Sequence, residues 1–185
     1  MPKLFMALLG ATPPGRNIEQ HDIFFGIGED MKDLVPQIAA YWPVPGNKIH
    51  IDAWREVTRV DDYSINVLPA AGAASSPIKL FFINLGGYKQ DEFEEFHYKM
   101  LVAAPGKGEA VAAAKKTAFF RHTGFKGASS HIDDKFGIDV DDIFEIPDIL
   151  SVEAKSKYKL VIVPANDNDP ADEIHLGYFK LNSFA

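Results

Sequence analysis

The sequence predicts an α+β fold of two tandem β-β-α-β-β repeats related by pseudo-twofold symmetry. Three observations lead to this prediction. The string KLFMALLGA at Lys3 recurs as KLFFINLGG at Lys79, and a Glu-x-His triplet follows both at one offset of 76 residues. A helix-forming segment comes next in each copy. Each copy then has a His-Ile-Asp triplet, at His50 and at His131, followed by a Val-Asp-Asp turn. Ordered matches of this kind are typical of internal duplication.

The first strand of each repeat is an unbroken apolar run, at Leu4–Leu9 and at Leu80–Leu85. Such runs are typical of strands that are covered on both faces. Because the run recurs inside the chain, where it cannot be a signal peptide, we interpret it as a strand in both places. A loop rich in glycine or proline leads to the second strand, predicted at Ile23–Ile27 and at Lys99–Ala103.

The helix of the first repeat is the clearest periodic element. Apolar residues follow the i, i+3, i+4, i+7 spacing that lines one helical face. They are Met31, Leu34, Val35, Ile38, Tyr41 and Trp42. Because Pro36 would disrupt a helix interior, the regular part is predicted to begin near Asp33. In the second repeat the alanine-rich segment Glu109–Phe120 takes the place of this helix.

Two half-buried strands complete the first repeat, at His50–Val57 and Tyr63–Pro69, since polar and apolar residues alternate along them. A turn at Asp61 and Asp62 joins them. The sheets are therefore predicted to be mixed or antiparallel.

The repeats predict four segments along the chain. The first repeat covers residues 1–69, a linker of small residues covers 70–78, and the second repeat covers 79–150. Residues 151–185 resemble the start of a third copy and are predicted to form a β-hairpin. We expect this hairpin to complete the sheet of the second repeat, because an unpaired apolar edge promotes aggregation.

Composition excludes several classes of function. The chain has 185 residues and a formal net charge of −7, so its mean field repels phosphate backbones and anionic lipids. We therefore expect neither nucleic acid nor a membrane as a partner, and no segment approaches the roughly 20 apolar residues of a membrane span. Cysteine is absent, which removes thiolate nucleophiles and Cys-type zinc sites and fits a reducing cytoplasm.

Pairs of histidine and carboxylate are the strongest candidates for chemistry. Residues i and i+2 of a strand face the same side, so each triplet places an imidazole beside a carboxylate. The candidates in the first repeat are Glu19, His21, His50 and Asp52, and those in the second repeat are Glu95, His97, His131 and Asp133. A further pair, Glu173 and His175, lies in the C-terminal segment.

Three interpretations of these pairs stay open. Structural ion pairs or hydrogen bonds are the interpretation that the sequence favours. Alternatively, two pairs on neighbouring strands hold a divalent transition metal such as zinc, iron or manganese. As a third alternative, the pairs serve acid–base chemistry or ligand binding, because histidine titrates near neutral pH. Nothing in the sequence shows that the strands carrying His21 and His50 are neighbours, and no other cofactor is indicated.

Two further motifs carry less weight. Gly10–Asn17 has the glycine spacing of a phosphate loop, but Arg16 and Asn17 stand where Lys and Ser or Thr are required. The acidic segment Asn166–Glu173 lacks the glycine and the distal glutamate of a calcium-binding loop. It is predicted to be a solvent-facing turn.

The strings KLFMALLG, Glu19–Phe25 and HIDAW resemble an uncharacterised bacterial family, the domain of unknown function 1543, whose members carry one or two copies of the domain. The resemblance covers Lys3 to about Leu150 and is strongest in the first repeat. The second repeat departs from it at Tyr98, where the first repeat has Asp22, and also at residues 134–136. The family implies no established reaction.

We therefore expect a soluble cytoplasmic binding or assembly module whose small-molecule ligand is unknown. The duplicated body and the aromatic helix ends make a homodimer plausible. The alternative from another class is a metal-dependent enzyme, a hydrolase or an oxygenase, in which residues of the first repeat act as ligands or proton carriers. These residues would be Glu19, His21, His50 and Asp52.

Overall fold

The computed structural model describes residues 1–45, 48–73, 75–122, 143–166 and 168–184, with backbone only for 124–125, 128–129 and 131–132. The strands are β1 (Lys3–Ala11), β2 (Gln20–Gly28), β3 (His50–Glu56), β4 (Arg59–Val60), β5 (Tyr63–Pro69), β6 (Lys79–Tyr88), β7 (Glu95–Ala104), β8 (Gly124–Phe125), β9 (Ala128–Ser129), β10 (His131–Ile132), β11 (Ile143–Glu145), β12 (Tyr158–Pro164) and β13 (His175–Lys180). The helices are α1 (Met31–Tyr41), α2 (Lys107–Ala114), α3 (Ala118–His122), α4 (Ile146–Ile149) and α5 (Val152–Lys157), and a 3₁₀ helix covers Leu181–Ser183. None of these helices is long and apolar enough to cross a membrane.

The chain divides into two compact units. Unit 1 comprises Met1–Arg59, Ser64–Ser75 and Leu150–Ala185, and unit 2 comprises Val60–Tyr63 and Ser76–Ile149. The sheets of both units are antiparallel, which confirms the predicted α+β class. Each unit opens with a long hairpin followed by a helix, while the duplication, its symmetry and its boundaries remain predictions.

The main sheet of unit 1 has the strand order β13-β3-β1-β2, so β1 is an inner strand. One face of β1 contributes Phe5, Ala7 and Leu9 to a buried core that also contains Leu34 and Ile38 of α1. The opposite face of β1 is buried as well, at Leu4. Burial on both faces explains why the first strand is an unbroken apolar run.

Helix α1 begins at Met31, so the predicted start near Asp33 is wrong. Asp30 caps the helix, since its side chain accepts hydrogen bonds from the backbone N–H groups of Lys32 and Asp33. This cap stabilises the first turn ahead of Pro36. Pro36 lies inside the helix on its exposed side, where water can satisfy the carbonyl group that lacks a helical partner.

The C-terminal segment is not the predicted hairpin on the second repeat. Strand β12 pairs with β5, and β13 pairs with β3 at the edge of the main sheet of unit 1. The physical reason is side-chain burial: Phe179 of β13 and Leu181 and Phe184 just beyond it pack against the core of unit 1. The edge that this segment covers therefore belongs to the main sheet of unit 1.

In unit 2, β6 pairs with β7, β10 and β11, and a second buried core lies against it. The predicted single helix over Glu109–Phe120 is instead two short helices, α2 and α3. Thr117 separates them, because its hydroxyl donates to the Ala114 carbonyl and accepts from the backbone N–H of Phe120. A threonine that bonds the backbone in this way ends one helix and caps the next.

Candidate functional site

The two strands that carry His21 and His50 lie on either side of β1. Gly10 of β1 pairs with His21 of β2 and with His50 of β3. Directly opposed residues in a sheet point to the same face. Histidines that are 29 residues apart in the sequence therefore meet above one glycine, which answers the question that the sequence left open.

Gly10 leaves the space in which these side chains meet. A Cβ atom at this position would lie 2.4 Å from His50 Nε2 and 2.6 Å from Asp52 Oδ2. Both distances are far shorter than van der Waals contact, so another residue would displace the histidine or the aspartate. Sequence reasoning considered Gly10 only as part of a phosphate loop. The signal for its real role was a glycine at the end of an apolar strand, which often marks a close approach of other groups.

Four side chains form a closed set of contacts that we call the His/carboxylate cluster: Glu19, His21, His50 and Asp52. Nε2 of His50 lies 3.0 Å from Glu19 Oε1 and 3.2 Å from Asp52 Oδ1. Nε2 of His21 lies 3.4 Å from Glu19 Oε2 and 3.3 Å from Asp52 Oδ2. Each histidine therefore contacts the same two carboxylates.

The cluster is closed on one side and open on the other. The exposed fraction of the side chain is 5% for His50 and 28% for Asp52, against 41% for Glu19 and 43% for His21. Within the described part of the chain, neither ring nitrogen of His50 has an aligned hydrogen-bond partner, and the same is true of Asp52 Oδ2. Buried polar atoms without partners are uncommon and often mark a site for water or an ion.

A β-bulge places Asp52 in the cluster. Leu8 pairs with Ala53 and Leu9 pairs with Ile51, so Asp52 is an extra residue of β3 relative to β1. A bulge redirects side chains and is frequent beside functional sites. Here Asp52 faces His50 while Ile51 stays in the core.

Helix α1 is tied to β2 next to His21. The hydroxyl of Tyr41 donates to Asp22 Oδ2 at 2.8 Å and also lies 3.2 Å from the Ile23 carbonyl oxygen. Burial raises the pKa of Tyr41, and the neighbouring carboxylate of Asp22 raises it further. The phenol thus remains a hydrogen-bond donor that holds the start of β2 in place.

Two aromatic contacts join β13 to β3. The ring of Tyr178 stacks on His50 with centroids 4.2 Å apart and an interplanar angle of 27°. His175 stacks on Trp54 at 3.9 Å and 15°. The candidate His175 is therefore beside Trp54 rather than in the cluster, and its ring nitrogen lies 3.9 Å from Glu173.

The candidates of the predicted second repeat have a similar backbone arrangement. Gly86 pairs with His97 of β7 and with His131 of β10. His97 lies 4.0 Å from Glu95, and its Nδ1 is 3.0 Å from the side-chain amide of Asn84. The side chain of His131 and all of Asp133 lie outside the described residues.

The acidic segment at Asn166–Glu173 is not simply a solvent-facing turn. The buried carboxylate of Asp172 accepts hydrogen bonds from the backbone N–H groups of Thr58 and Arg59 and from the Thr58 hydroxyl. Asp169 accepts from Ser64 and from the backbone of Asn166, and these hydrogen bonds lower its pKa. Both carboxylates anchor the segment that precedes β13.

The cluster as it stands is a set of contacts between imidazoles and carboxylates and not a preformed metal site. Among the residues that the structure describes, no group of three or more His, Asp or Glu side chains is arranged to hold a metal ion. The four side chains nevertheless include two imidazoles and two carboxylates, which are donors that zinc, iron and manganese accept.

The segment that contains this cluster matches one family model. Residues 16–67 match the family model of a Domain of Unknown Function (DUF1543). This match confirms the predicted resemblance over that segment, and it contains all four cluster residues but not Gly10. A second DUF1543 copy in the chain remains a prediction. No curated protein matches this sequence.

The fold of the chain is similar to that of a solved structure. A crystal structure of the protein Il1583 from Idiomarina loihiensis aligns with a TM-score of 0.60 at 22% identity and covers 98% of each chain. At this level of identity the likeness establishes the fold alone.

Proposed function

We propose that unit 1 binds a divalent transition-metal ion at the His/carboxylate cluster and that the protein is a cytoplasmic metal-binding module. The observation that carries the proposal is the pair of histidines that contact the same two carboxylates while the buried ring of His50 has no aligned hydrogen bond within the described residues. The absence of cysteine fits a reducing compartment.

The spacing of the donor atoms supports an ion. Zinc binds histidine nitrogen and carboxylate oxygen at about 2.0 to 2.2 Å, so neighbouring ligands of a tetrahedral ion lie about 3.4 Å apart. The four nitrogen–oxygen distances in the cluster run from 3.0 to 3.4 Å. Each imidazole–carboxylate contact is therefore near the spacing of two neighbouring ligands. The two histidines contact different oxygens of each carboxylate, so a tetrahedral ion would need one oxygen of each carboxylate to face both imidazoles.

The orientation of the donors points the same way. His50 Nε2 is 3.0 Å from a Glu19 oxygen, yet this contact lacks the alignment of a hydrogen bond. A protonated ring nitrogen that donated a hydrogen bond to Glu19 would be expected to direct its N–H at the carboxylate oxygen, because aligned hydrogen bonds are stronger. We attribute the misalignment to an Nε2 lone pair that is free to bind an ion.

Charge favours a cation as well. Histidine binds a metal ion through a deprotonated ring nitrogen, so the ligand form of the cluster, with two carboxylates and two imidazoles, has a formal charge of −2. A divalent ion would balance this charge, which is costly to leave uncompensated beside a buried ring.

Binding would require side-chain movements, because no group of three or more such side chains among the described residues is arranged to hold a metal ion. Glu19 and Asp52 are partly exposed and can rotate, whereas His50 is buried and held. We expect the two carboxylates to turn from the imidazoles toward the ion while the backbone stays in place.

Elemental analysis of untagged protein tests the proposal. We expect close to one equivalent of a transition metal per chain after incubation with Zn²⁺, Mn²⁺ or Fe²⁺ and desalting, and loss of this ion in the His21→Ala/His50→Ala double variant. An ion at 100 times its Kd would stabilise the fold by about 2.7 kcal/mol, measured as a rise in Tm.

Size-exclusion chromatography with light scattering on the same samples tests the predicted homodimer.

His122→Ala provides a control, since His122 is an exposed histidine on α3 of unit 2 and is not one of the four cluster residues. It should retain the full metal content. Protein that stays metal-free in all three salts, with an unchanged Tm, would refute metal binding and leave the cluster as structural ion pairs.

A metal-dependent enzyme is the second candidate, and the open side of the cluster favours it. Catalytic zinc sites use three protein ligands and keep a position for water or substrate. The exposure of Glu19 and His21 would allow such a position. Hydrolysis of chromogenic ester and phosphate substrates by the zinc-loaded protein should then exceed that of the His50→Ala variant, and equal rates would leave only the binding module.

A further inference from the structure

Strand β13 carries an irregularity beside the cluster. Leu176 pairs with Ala53 and Phe179 pairs with Ile51, so β13 has three steps where β3 has two. Gly177 lies within this bulge at a φ of +149°, and a Cβ atom there would come within 3.3 Å of the Phe179 ring. The extra residue and the glycine conformation are thus both needed for the local path of the chain.

The bulge sends neighbouring aromatic rings to different places. Phe179 packs against the core of unit 1, while Tyr178 stacks on the imidazole of His50. Tyr178 is 66% exposed, whereas His50 is buried. The tyrosine ring therefore has one face toward solvent and the other against the histidine.

We infer that Tyr178 is a positioning residue that fixes the His50 imidazole and slows release of an ion from the cluster. This inference rests on the proposed metal binding. A metal-binding histidine normally donates its second ring N–H to a carbonyl or carboxylate, which sets the ring orientation. Within the described residues His50 Nδ1 has no aligned partner, so stacking on Tyr178 supplies the orientation instead.

The same contact couples the ion to the C-terminal strand. Strand β13 is held to β3 by the Tyr178–His50 stack and by the His175–Trp54 stack. An ion that fixes the His50 ring should strengthen the first of these contacts. Backbone amides of β13 should accordingly exchange with deuterium more slowly in the zinc-loaded protein than in the chelator-treated protein.

Chelator chase of the zinc-loaded protein tests the inference. We expect Tyr178→Ala to release zinc about 10-fold faster or more, which is the scale on which contacts behind a metal ligand act. Tyr178→Phe keeps the ring and should release zinc at the wild-type rate. Leu176→Ala is the matched control, because Leu176 is exposed, lies on the same strand and pairs beside the cluster.

A second readout separates failure of this inference from failure of metal binding. Modification of His50 by diethyl pyrocarbonate, followed by mass spectrometry of metal-free protein, should be faster in Tyr178→Ala than in wild type and unchanged in Tyr178→Phe. If the alanine variant unfolds, Tyr178→Leu replaces it, because leucine covers the His50 ring without aromatic stacking. In Tyr178→Leu, His50 should be modified faster and zinc should be released faster than in Tyr178→Phe.

The outcomes are distinct. A wild-type protein that binds zinc and a Tyr178→Ala variant that releases it at the wild-type rate would overturn the inference and leave the proposed function intact. A wild-type protein that binds no ion overturns the proposed function and the release role together. The modification rate of His50 then decides whether Tyr178 still positions the ring.

Discussion

In unit 1 the glycine of the inner strand pairs with His21 and His50, and in unit 2 Gly86 pairs with His97 and His131. The backbone register is the same in both units, but the surroundings of the first histidine differ. His21 contacts two carboxylates, whereas His97 lies 3.0 Å from the Asn84 amide and 4.0 Å from the Glu95 carboxylate. Strand pairing decides which residues can meet, and neighbouring side chains decide what chemistry follows.

The link between strand and helix also differs. In unit 1, Asp22 accepts a hydrogen bond from Tyr41 of α1. In unit 2, Tyr98, which the predicted repeat aligns with Asp22, stacks on Phe119 of α3, with centroids 5.7 Å apart. The departure that the sequence shows at Tyr98 is thus a change from a polar link to an aromatic one.

The helices fill their cores differently. Helix α1 buries the large side chains of Leu34 and Ile38, while α2 buries Ala110 and Ala114. The core of unit 1 is therefore filled by large helix side chains, whereas the core of unit 2 is filled by a close approach of the helix backbone. This contrast, and the contrast at the glycines, can be tested by substitution.

The largest expected effect is that of Leu34→Ala. Leu34 is fully buried, and truncation of such a leucine costs about 2 to 5 kcal/mol through lost burial and a cavity. Urea denaturation followed by circular dichroism measures the loss. Val152→Ala, at an exposed apolar residue, is the control and should change stability by less than about 0.5 kcal/mol. Equal effects would contradict the importance of helix volume in unit 1.

Gly10→Ala is expected to affect the cluster most directly. The added Cβ would overlap His50 and Asp52, and overpacking of this kind costs about 1 to 3 kcal/mol. Metal affinity, measured by competition with a chromophoric chelator, should fall by about 100-fold, at the upper end of the effects of displaced supporting groups.

Gly108→Ala is the matched control for this glycine. A Cβ atom at Gly108 meets nothing within 4 Å, and the residue lies in α2. Alanine should therefore stabilise the protein by up to about 1 kcal/mol and leave metal affinity unchanged. An intact site in Gly10→Ala would show that the cluster does not need the space above β1.

The smallest effects concern the helix caps. Asp30 caps α1 with its side chain, whereas Gly106 precedes α2 without a side-chain hydrogen bond. Asp30→Ala should lower the free energy of unfolding by about 1 kcal/mol, and Gly106→Ser should raise it by a few tenths of a kcal/mol. Thermal denaturation measures both. If Asp30→Ala left the stability unchanged, packing alone would position the start of α1.

Sequence reasoning found much of unit 1 because its signals are local. The apolar run of β1, the face of α1 and the four candidate residues follow from periodicity and spacing. It missed the early start of α1, where the Asp30 cap outweighs the proline at position 36, and the break at Thr117. It also missed Gly10 and Tyr178, because their roles depend on what lies across the sheet.

The sequence by itself determined the α+β class, the paired histidines and carboxylates and the likeness to DUF1543 over residues 16–67. Only the tertiary structure decided that His21 and His50 share two carboxylates, and that β13 joins unit 1 and covers His50. The physical reason is that periodicity reports which face of an element is apolar. Which strands become neighbours depends on burial contributed by distant parts of the chain, such as Phe179 in the core of unit 1.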